Sequence, residues 1–393
     1  MSTNPHAGRY VLYGAPVSLY TGKARSYLRK QGIDFVEVGP GSDRYLNVIV
    51  PAVGRWIIPC LETPDGEIVQ DGADIIKHFE TGPGADLRAY PDAYPATAAH
   101  RAISHVFEMF GGEGLLRPAI HCRWNFNDVN LEFLRAEFAL LTPAGFDPEQ
   151  QSAAFDHSSG RMRKAASGFG VTPESAPLIE ESFQEFLRFL SRHLETSPYL
   201  LGGAPALGDY CLMGAMWAHL FRDPAPQQLI KQVAPRVGRW VERMSTSEPY
   251  DHEFGDHSGR FFADDGVPDT LRDMLRFVEE EYLNEITAHV AFANEWLSAH
   301  PDIVEGTNGK SNPASRGIGA ADFEWRGLTL TTGVMPYRLW LLQHLTDDFA
   351  EAPNEDQERV RAIFADVGLE QLLNLRVNRR VERTNHLEVW GPV

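Results

Sequence analysis

Cysteine is scarce in this sequence and forms no motif. The 393 residues include three cysteines, Cys60, Cys122 and Cys211, which lie far apart. An odd number of widely spaced cysteines excludes a disulfide framework and a cysteine zinc site, and without a CxxC pair the sequence does not indicate a dithiol oxidoreductase. We therefore expect a cytoplasmic protein, kept in a reducing compartment.

Long apolar runs and basic side chains are also in short supply. No run of about 18 apolar residues occurs, and the opening MSTNPHAGRY lacks the basic-then-apolar pattern of a secretory signal. The 36 lysines and arginines face 54 aspartates and glutamates, which gives a formal net charge of -18. Such a chain repels phosphate backbones and anionic lipid surfaces, so we expect neither nucleic acid nor a membrane as a partner.

Side chains that could bind a metal stand close together in one stretch, residues 251–257 (DHEFGDH). This stretch lacks the HExxH spacing of a zinc-binding helix, and such a grouping arises easily by chance in an acid-rich chain. The sequence therefore predicts no metal.

The N-terminal segment follows the order strand, helix, strand, loop, strand, strand, helix. Residues 10–13 and 34–38 have strand patterns on either side of a helical stretch over residues 21–31, which Gly32 would end. This order predicts a small sheet whose first pair of strands is parallel and whose second pair is antiparallel.

Residues 54–80 combine two features that would bind a peptide. An apolar run ends at Pro59, a PDG turn joins two strand-like runs, and a helix begins near residues 70–72. If the peptide bond before Pro59 is cis, the preceding backbone turns outward and offers its N–H and C=O to a ligand. The free N–H groups of the helix start attract a carboxylate. The alternative is an ordinary hairpin with an edge proline.

This order of elements, with Ser18 before the first helix, Ile58-Pro59 before a strand and an acidic residue at a later helix start, resembles the thioredoxin-like half of cytosolic glutathione transferases. The likeness continues more weakly to Met244. It implies an α/β plus all-α protein: a thioredoxin-like, glutathione-binding domain, a transferase-type helical domain, and additional helices. The corresponding ranges are residues 1–83, 95–248 and 249–393.

The resemblance also implies where glutathione binds. The residue before the strand-leading proline, with that proline, would hold the cysteinyl backbone, a role that falls on Ile58 and Pro59. The acidic-Ser pair that binds the γ-glutamyl end falls on Asp71 and Gly72, or on Gln70 and Asp71 if the register shifts by one residue. Gly72 departs from the family because glycine offers a backbone N–H but no hydroxyl.

Two residues could activate the glutathione thiol. Ser18 matches the family's Ser or Cys position, where a hydroxyl beside a helix N-terminus would stabilise the thiolate. Tyr13, at the end of the first strand, matches the tyrosine position of other members. Ser18 is the preferred assignment. The structural alternatives are a helix cap for Ser18, with Thr21 as a rival cap, and a core ring for Tyr13.

Beyond a linker rich in proline and glycine, strand patterns almost vanish. An apolar stripe runs from Ile179 to Leu194, and YLLGGAPALGD resembles the stretch before the buried helix of the transferase C-terminal domain, with Ala206 replacing the usual Ser or Thr cap and Asp209 retained. In this family the apolar second substrate lies against the first helices of that domain. Phe107, Phe110 and Trp124 are therefore candidates for its binding site, with core packing as the alternative.

The resulting hypothesis is a glutathione-dependent transferase, and by resemblance a homodimer. The thiolate would attack an electrophilic carbon of an apolar small molecule, by substitution or addition, with glutathione as cosubstrate. The alternatives are a binding or scaffold protein that has kept the fold without catalysis, and a glutathione-dependent isomerase or dehalogenase on the same fold. The region after residue 249 could be an elaborated helical layer or a dimer surface.

Overall fold

The computed structural model describes residues 5–90, 92–247, 253–254 and 259–392. The chain divides into two compact units, each assembled from separated stretches. The first unit contains Met1–Asp92, Pro118–Ala166 and Tyr210–Gly255. The second unit contains Ala93–Arg117, Ser167–Asp209 and Asp256–Val393. The three continuous domain ranges expected from the sequence stay a prediction.

Helices dominate the described chain. The α-helices are α1 (Leu19–Lys30), α2 (Val50–Val53), α3 (Gly72–Glu80), α4 (Ala98–Met109), α5 (Leu116–Trp124), α6 (Asn127–Ala139), α7 (Pro148–Ala165), α8 (Ala176–His193), α9 (Leu207–Ala215), α10 (Pro224–Val233), α11 (Pro235–Arg243), α12 (Asp269–Val278), α13 (Asn284–Ala299), α14 (Pro336–Glu351) and α15 (Asn354–Asp366). Segments with π-helical hydrogen bonding are Tyr45–Ile49, Phe110–Gly114, Met216–Phe221 and Glu279–Leu283. Short 3-10 turns are Ala85–Leu87, Ala166–Gly168, Ala263–Asp265 and Glu370–Asn374. No helix among the described residues is both long and apolar enough to cross a bilayer.

The strands of the described residues form one small sheet and two hairpins. They are β1 (Tyr10–Tyr13), β2 (Phe35–Val38), β3 (Cys60–Glu62), β4 (Ile68–Gln70), β5 (Gly319–Trp325), β6 (Leu328–Val334), β7 (Val381–Thr384) and β8 (Leu387–Trp390). In the first unit the order is β2-β1-β3-β4, with β1 and β2 parallel and the other neighbours antiparallel. The sheet predicted from the sequence is thus confirmed.

The start of α1 differs from its predicted position by two residues. Ser18 caps the helix, because its Oγ accepts the Thr21 N–H at 3.2 Å, whereas Thr21 lies inside the helix and accepts the Ala15 N–H at 3.4 Å. Gly32, with φ of 69°, follows the last turn, as the sequence predicts. The serine cap therefore leaves Thr21 buried beneath the loop before the helix.

The second unit contains the predicted long helical stretch but also strands that the sequence analysis missed. Helices α12 and α13 run on through the intervening π-helical segment Glu279–Leu283. Strands β5 and β6 pair along their whole length, and β7 pairs with β8. The first turn is Arg326-Gly327 and the second Asn385-His386, all four with positive φ. Positive φ at both central residues is the geometry that joins two twisted strands by a tight hairpin.

Asp209 holds the start of α9 although Ala206 has no hydroxyl to cap it. The carboxylate of Asp209 accepts the N–H of Leu200 at 3.1 Å and the N–H of Ala206 at 3.0 Å. Two backbone donors that the helix cannot satisfy are thus paired by a fully buried side chain. The retained aspartate thus compensates for the missing cap.

A cluster of charged side chains is buried in the core of the second unit. Arg338 donates from Nε to Glu113 at 2.8 Å and from Nη1 to Glu285 at 2.7 Å. Arg117 donates to the other oxygen of Glu285, also at 2.7 Å. His289 lies beside them, 3.4 Å from the Arg338 guanidinium, and is completely buried. Two arginines therefore share two carboxylates in the core.

This environment makes His289 an acid-sensitive group. Burial, and then the positive charge of Arg338, lower the pKa of His289 to about 4, against an ordinary value of about 6.5. Between these two values the unfolded chain binds a proton at His289 that the folded chain does not. The stability that the neutral His289 ring contributes is therefore fully present above pH 6.5 and is lost as the pH falls toward 4. The loss from this one residue should be about 3 kcal/mol.

We expect a His289→Gln variant to lose less unfolding free energy between pH 7 and pH 4 than the parent chain does. Urea unfolding at a series of pH values gives the slope of the unfolding free energy against pH for each chain. His157→Gln is the matched control, because His157 is exposed on α7 and its replacement should leave the parent slope unchanged. Equal slopes for the parent and the His289 variant would show that this histidine does not contribute to acid sensitivity.

Candidate functional site

The hydroxyl of Ser18 lies at the N-terminus of α1 and is half-buried. Its oxygen accepts the Thr21 N–H, which leaves the hydroxyl proton available for donation to a ligand. A helix of twelve residues presents its positive dipole end at this point. The same arrangement that caps α1 can therefore stabilise an anion such as a thiolate.

The loop before Ser18 is held in place from two sides. A Cβ at Gly14 would lie 2.2 Å from Thr21 Cγ2, so only glycine allows this close approach to the helix. On the other side, Arg123 donates from Nη1 to the Val17 carbonyl at 2.6 Å. The backbone directly preceding Ser18 is thus fixed by a buried side chain of α5.

Arg123 forms several further hydrogen bonds beside the site. It forms a two-point ion pair with Asp223, at 2.7 and 2.9 Å, and also donates to the Ala218 carbonyl at 2.7 Å. Both charged side chains are almost fully buried. Sequence analysis missed this residue, although a lone arginine in the apolar stretch around Cys122 and Trp124 was a usable signal.

Ile58 and Pro59 lie beside this loop. The peptide bond between them is cis. Ile58 is half-buried and packs against the apolar cluster that contains Val17 and Trp124. The Pro59 carbonyl accepts the Asp71 N–H at 3.3 Å, which links the strand-leading proline to the start of α3. Cys60 is completely buried.

Asp71 caps α3 and has an unusual backbone. Its Oδ1 accepts the Ala73 N–H at 2.8 Å, and its φ is 92°, a region that side chains rarely adopt. Gln70, the alternative from the shifted register, is buried at the end of β4 opposite Cys60. Asp71 is therefore the acidic residue at the helix start.

The departure at Gly72 has a steric reason. A Cβ at this position would lie 3.1 Å from Cδ and 3.3 Å from Cγ of Lys23, so the buried stem of the lysine occupies the space beside the glycine. A serine here would press against Lys23. The backbone N–H of Gly72 is retained at the start of α3. The aliphatic stem of Lys23 lies where the resemblance would place a serine hydroxyl.

Tyr13 lies in a different environment from Ser18. Its hydroxyl donates to Glu62 at 2.8 Å, and Arg44 donates to the same carboxylate at 2.9 Å. Burial, and then the hydrogen bond to Glu62, raise the pKa of Tyr13 well above its usual value. It packs in the core with Tyr45 and Cys60. A buried hydroxyl already engaged by a carboxylate is poorly suited to stabilise a thiolate.

The three aromatic residues predicted for the second substrate fall in two places. Trp124 belongs to the same cluster as Ala15, Val17 and Ile58, so it lies with the Ser18 loop in the first unit. Its indole N–H is buried and finds no acceptor among the described residues. Phe107 and Phe110 are in the second unit, where both are buried. Phe110 packs against the rings of Phe186 and Phe277.

The stretch at 251–257 lies outside the described residues except for Glu253 and Phe254. Glu253 is engaged by two arginines, with Arg239 at 2.5 Å and Arg243 at 3.6 Å. These ion pairs lower the pKa of the Glu253 carboxyl, the Arg239 hydrogen bond most of all.

Two protein-family models match separate stretches of this chain. The model of the glutathione S-transferase N-terminal domain matches residues 12–85, and the model of the C-terminal domain matches residues 162–243. Helices beyond residue 243 extend past both matches. None of the curated proteins matches the sequence.

Several solved structures are similar to this chain at low identity. A beta-etherase from Sphingobium sp. strain SYK-6 is 17% identical with a TM-score of 0.42, and the match covers 60% of this chain and 94% of that one. A glutathione transferase from Phanerochaete chrysosporium is 14% identical with a TM-score of 0.42, covering 62% and 98%. A rice transferase in complex with glutathione is 19% identical with a TM-score of 0.36, covering 61% and 88%.

Proposed function

We propose, on the premise that this chain belongs to the glutathione S-transferase family, that it transfers the glutathione thiolate to an electrophilic carbon of an apolar small molecule. The observation that carries the proposal is Ser18, a half-buried hydroxyl at the N-terminus of α1 whose proton is available for donation. The Val17 carbonyl beside it is anchored by Arg123, which holds the backbone that leads into Ser18.

Ser18 would act by stabilising the ionised sulfur. A free thiol ionises near pH 8.5, roughly, so at neutral pH only a small fraction is nucleophilic. A hydrogen bond from the Ser18 hydroxyl, together with the dipole of α1, favours the thiolate, and the thiol proton passes to solvent. The sulfur then forms a bond to the electrophilic carbon, and a leaving group departs or the adjacent atom takes up a proton.

The rest of glutathione would lie along the backbone next to this hydroxyl. We assign the cysteinyl backbone to Ile58 and Pro59, and the γ-glutamyl end to the start of α3. There Asp71 supplies a negative charge for the amino group, and the free N–H at Gly72 supplies a donor for the carboxylate. This assignment is supported by the hydrogen bond from Asp71 to the Pro59 carbonyl, which keeps the two parts adjacent.

The second substrate is assigned to the apolar cluster around Trp124, in which Trp124 is buried and Ile58 is partly exposed. Ala15, Val17 and Ile58 share a cluster with this ring, which supports an apolar cosubstrate, and its unsatisfied indole N–H could donate to a polar atom of that molecule. The roles predicted for Phe107 and Phe110 stay predictions. Burial of all three cysteines as thiols supports a reducing, cytoplasmic setting, and a homodimer is proposed from the family alone.

Ser18→Gly should lower glutathione turnover by about 10²-fold, which is typical for removal of one positioned hydrogen-bond donor to a developing anion. Glycine is a fair helix cap, so stability should fall by only a few tenths of a kcal/mol, roughly. The pH at which the rate reaches half of its maximum should also rise, because the glutathione thiol loses the hydroxyl that lowers its pKa. Steady-state rates against pH, with a general electrophilic substrate, measure both effects.

Two controls accompany this variant. Ser18→Thr keeps the hydroxyl and should keep most of the activity. Tyr13→Phe removes the other candidate hydroxyl and should leave turnover unchanged, since Tyr13 is engaged by Glu62. Full activity in Ser18→Gly, or its loss in Tyr13→Phe, would overturn the assignment.

The pairing of Gly72 with Lys23 favours a second candidate, a protein that binds glutathione without catalysis. The lysine stem fills space beside the helix start, so the peptide would be held without the family's serine hydroxyl. Thermal unfolding with glutathione distinguishes the two functions. At 100 times its dissociation constant a ligand stabilises by about 2.7 kcal/mol. Stabilisation without turnover of any electrophile would favour binding alone.

A further inference from the structure

Four residues that could bind or orient a metal ion converge on two packed helices of the second unit. His105 and Glu108 are three residues apart on α4, and His344 and Asp348 are four residues apart on α14. These spacings set each pair on one face of its helix. His105 and Glu108 are buried, and the side chain of His344 is 27% exposed.

The ligand atoms are already at distances close to those of a metal site. Nδ1 of His105 lies 3.1 Å from Glu108 Oε2, and Nδ1 of His344 lies 3.2 Å from the same oxygen. Bonds of about 2.0–2.2 Å in a tetrahedral zinc site separate neighbouring ligand atoms by about 3.3–3.5 Å. The three ligand atoms, one from each residue, all lie within 4.8 Å of one another. A rotation of the His344 ring toward an ion would therefore bring all three within coordination distance.

We propose that His105, Glu108 and His344 bind one divalent transition-metal ion of the zinc class. Two imidazoles and one carboxylate are a donor set that zinc accepts, with a fourth position left for water or another ligand. The side chain of His344 is 27% exposed, so the cluster is not sealed from solvent. The proposal does not depend on the glutathione chemistry assigned to the first unit.

Asp348 completes the arrangement as a positioning residue. Its Oδ2 lies 2.9 Å from Nε2 of His105, and Arg101 lies 3.8 Å from the same oxygen. A histidine that binds a metal through one nitrogen usually donates its other N–H to a carboxylate, which fixes the ring and its tautomer. Asp348 would hold His105 with Nε2 protonated and Nδ1 free for the metal.

The test is a titration of the chelator-treated full chain with Co²⁺, whose visible absorption reports coordination number, followed by competition with Zn²⁺. We expect one saturable Co²⁺ per chain, four- or five-coordinate, displaced by Zn²⁺, and a rise in melting temperature with either ion. Absence of a saturable spectrum in the folded parent chain, or a signal that Zn²⁺ does not displace, would overturn the proposal.

Variants assign the site. His344→Gln, at the most exposed ligand, should weaken Co²⁺ binding at least 100-fold, and Asp348→Asn should weaken it about 10- to 100-fold without removing a ligand. His157→Gln, at an exposed histidine of α7, should bind as the parent does. Circular dichroism in metal-free buffer shows whether each variant folds. Parent-like Co²⁺ affinity in a folded His344→Gln would refute the ligand assignment.

Discussion

Replacing Arg338 by methionine should lower the free energy of unfolding by about 3–5 kcal/mol, because the change removes the ion-pair partner of the buried Glu113 carboxylate and one of the two partners of Glu285. Arg338 donates to both Glu113 and Glu285, and its own side chain is 2% exposed. Arg117 would still pair with Glu285. Glu113 would lose its ion pair and keep the electrostatic attraction of Arg316, and burial already raises the pKa of its carboxyl.

Arg380→Met is the matched control for this prediction. Arg380 also forms a two-point ion pair, with Asp347 at 2.6 and 2.9 Å, but its side chain is 52% exposed. Water and salt screen such a pair, so its loss should cost about 0–1 kcal/mol. Urea unfolding of both variants at neutral pH gives the comparison. Equal losses would mean that burial does not set the contribution of the Arg338 network.

The first sheet could be predicted because its signals are local in sequence. The strand patterns, the PDG turn and the glycine after α1 each specify their own neighbourhood, and they agree with one another. The family likeness then indicated Ser18 and Asp71 as site residues, and a helix cap was the structural alternative for Ser18. Gly72 was recognised as a departure, but the reason for it, the stem of Lys23, is a tertiary contact that no local pattern contains.

The two hairpins of the second unit were missed for a specific reason. The turn of β5 and β6 is Arg-Gly and that of β7 and β8 is Asn-His. Neither is the Asn-Gly or Asp-Gly pair that marks a two-residue hairpin in a sequence. The alternating burial of β5 was visible only as Ala321, Phe323 and Trp325, three apolar residues between polar ones. Without a recognised turn this alternation was not read as a strand.

The charged clusters could not be predicted, because their members are distant in sequence. Glu113 and Arg338 are 225 residues apart, and Glu108 and His344 are 236 apart. Sequence spacing reveals only the pairs that share a helix, such as His105 with Glu108. Side chains that could bind a metal are close together in sequence at residues 251–257, whereas those on α4 and α14 are brought together only by the fold.

Arg123→Met should reduce both stability and glutathione turnover. The buried carboxylate of Asp223 would lose its two-point partner, and the carbonyls of Val17 and Ala218 would lose their donor. Removing one partner from such a buried pair costs about 3–5 kcal/mol. Turnover should fall by more than the loss of folded protein explains. The backbone before Ser18 would no longer be fixed, so the Ser18 hydroxyl would move away from the thiolate.

Arg135, whose side chain is 39% exposed and pairs with Asp156 at 3.5 Å, provides the comparison, and Arg135→Met should cost at most about 1 kcal/mol with no change in turnover. Turnover is measured well below the melting temperature of each variant, so that the folded fraction is the same. Arg123→Lys keeps the charge but not the two-point geometry, and should recover part of the stability while turnover stays low. If turnover in both Arg123 variants simply follows the folded fraction, the Val17 carbonyl contact has no part in holding Ser18, and Arg123 stabilises the fold alone.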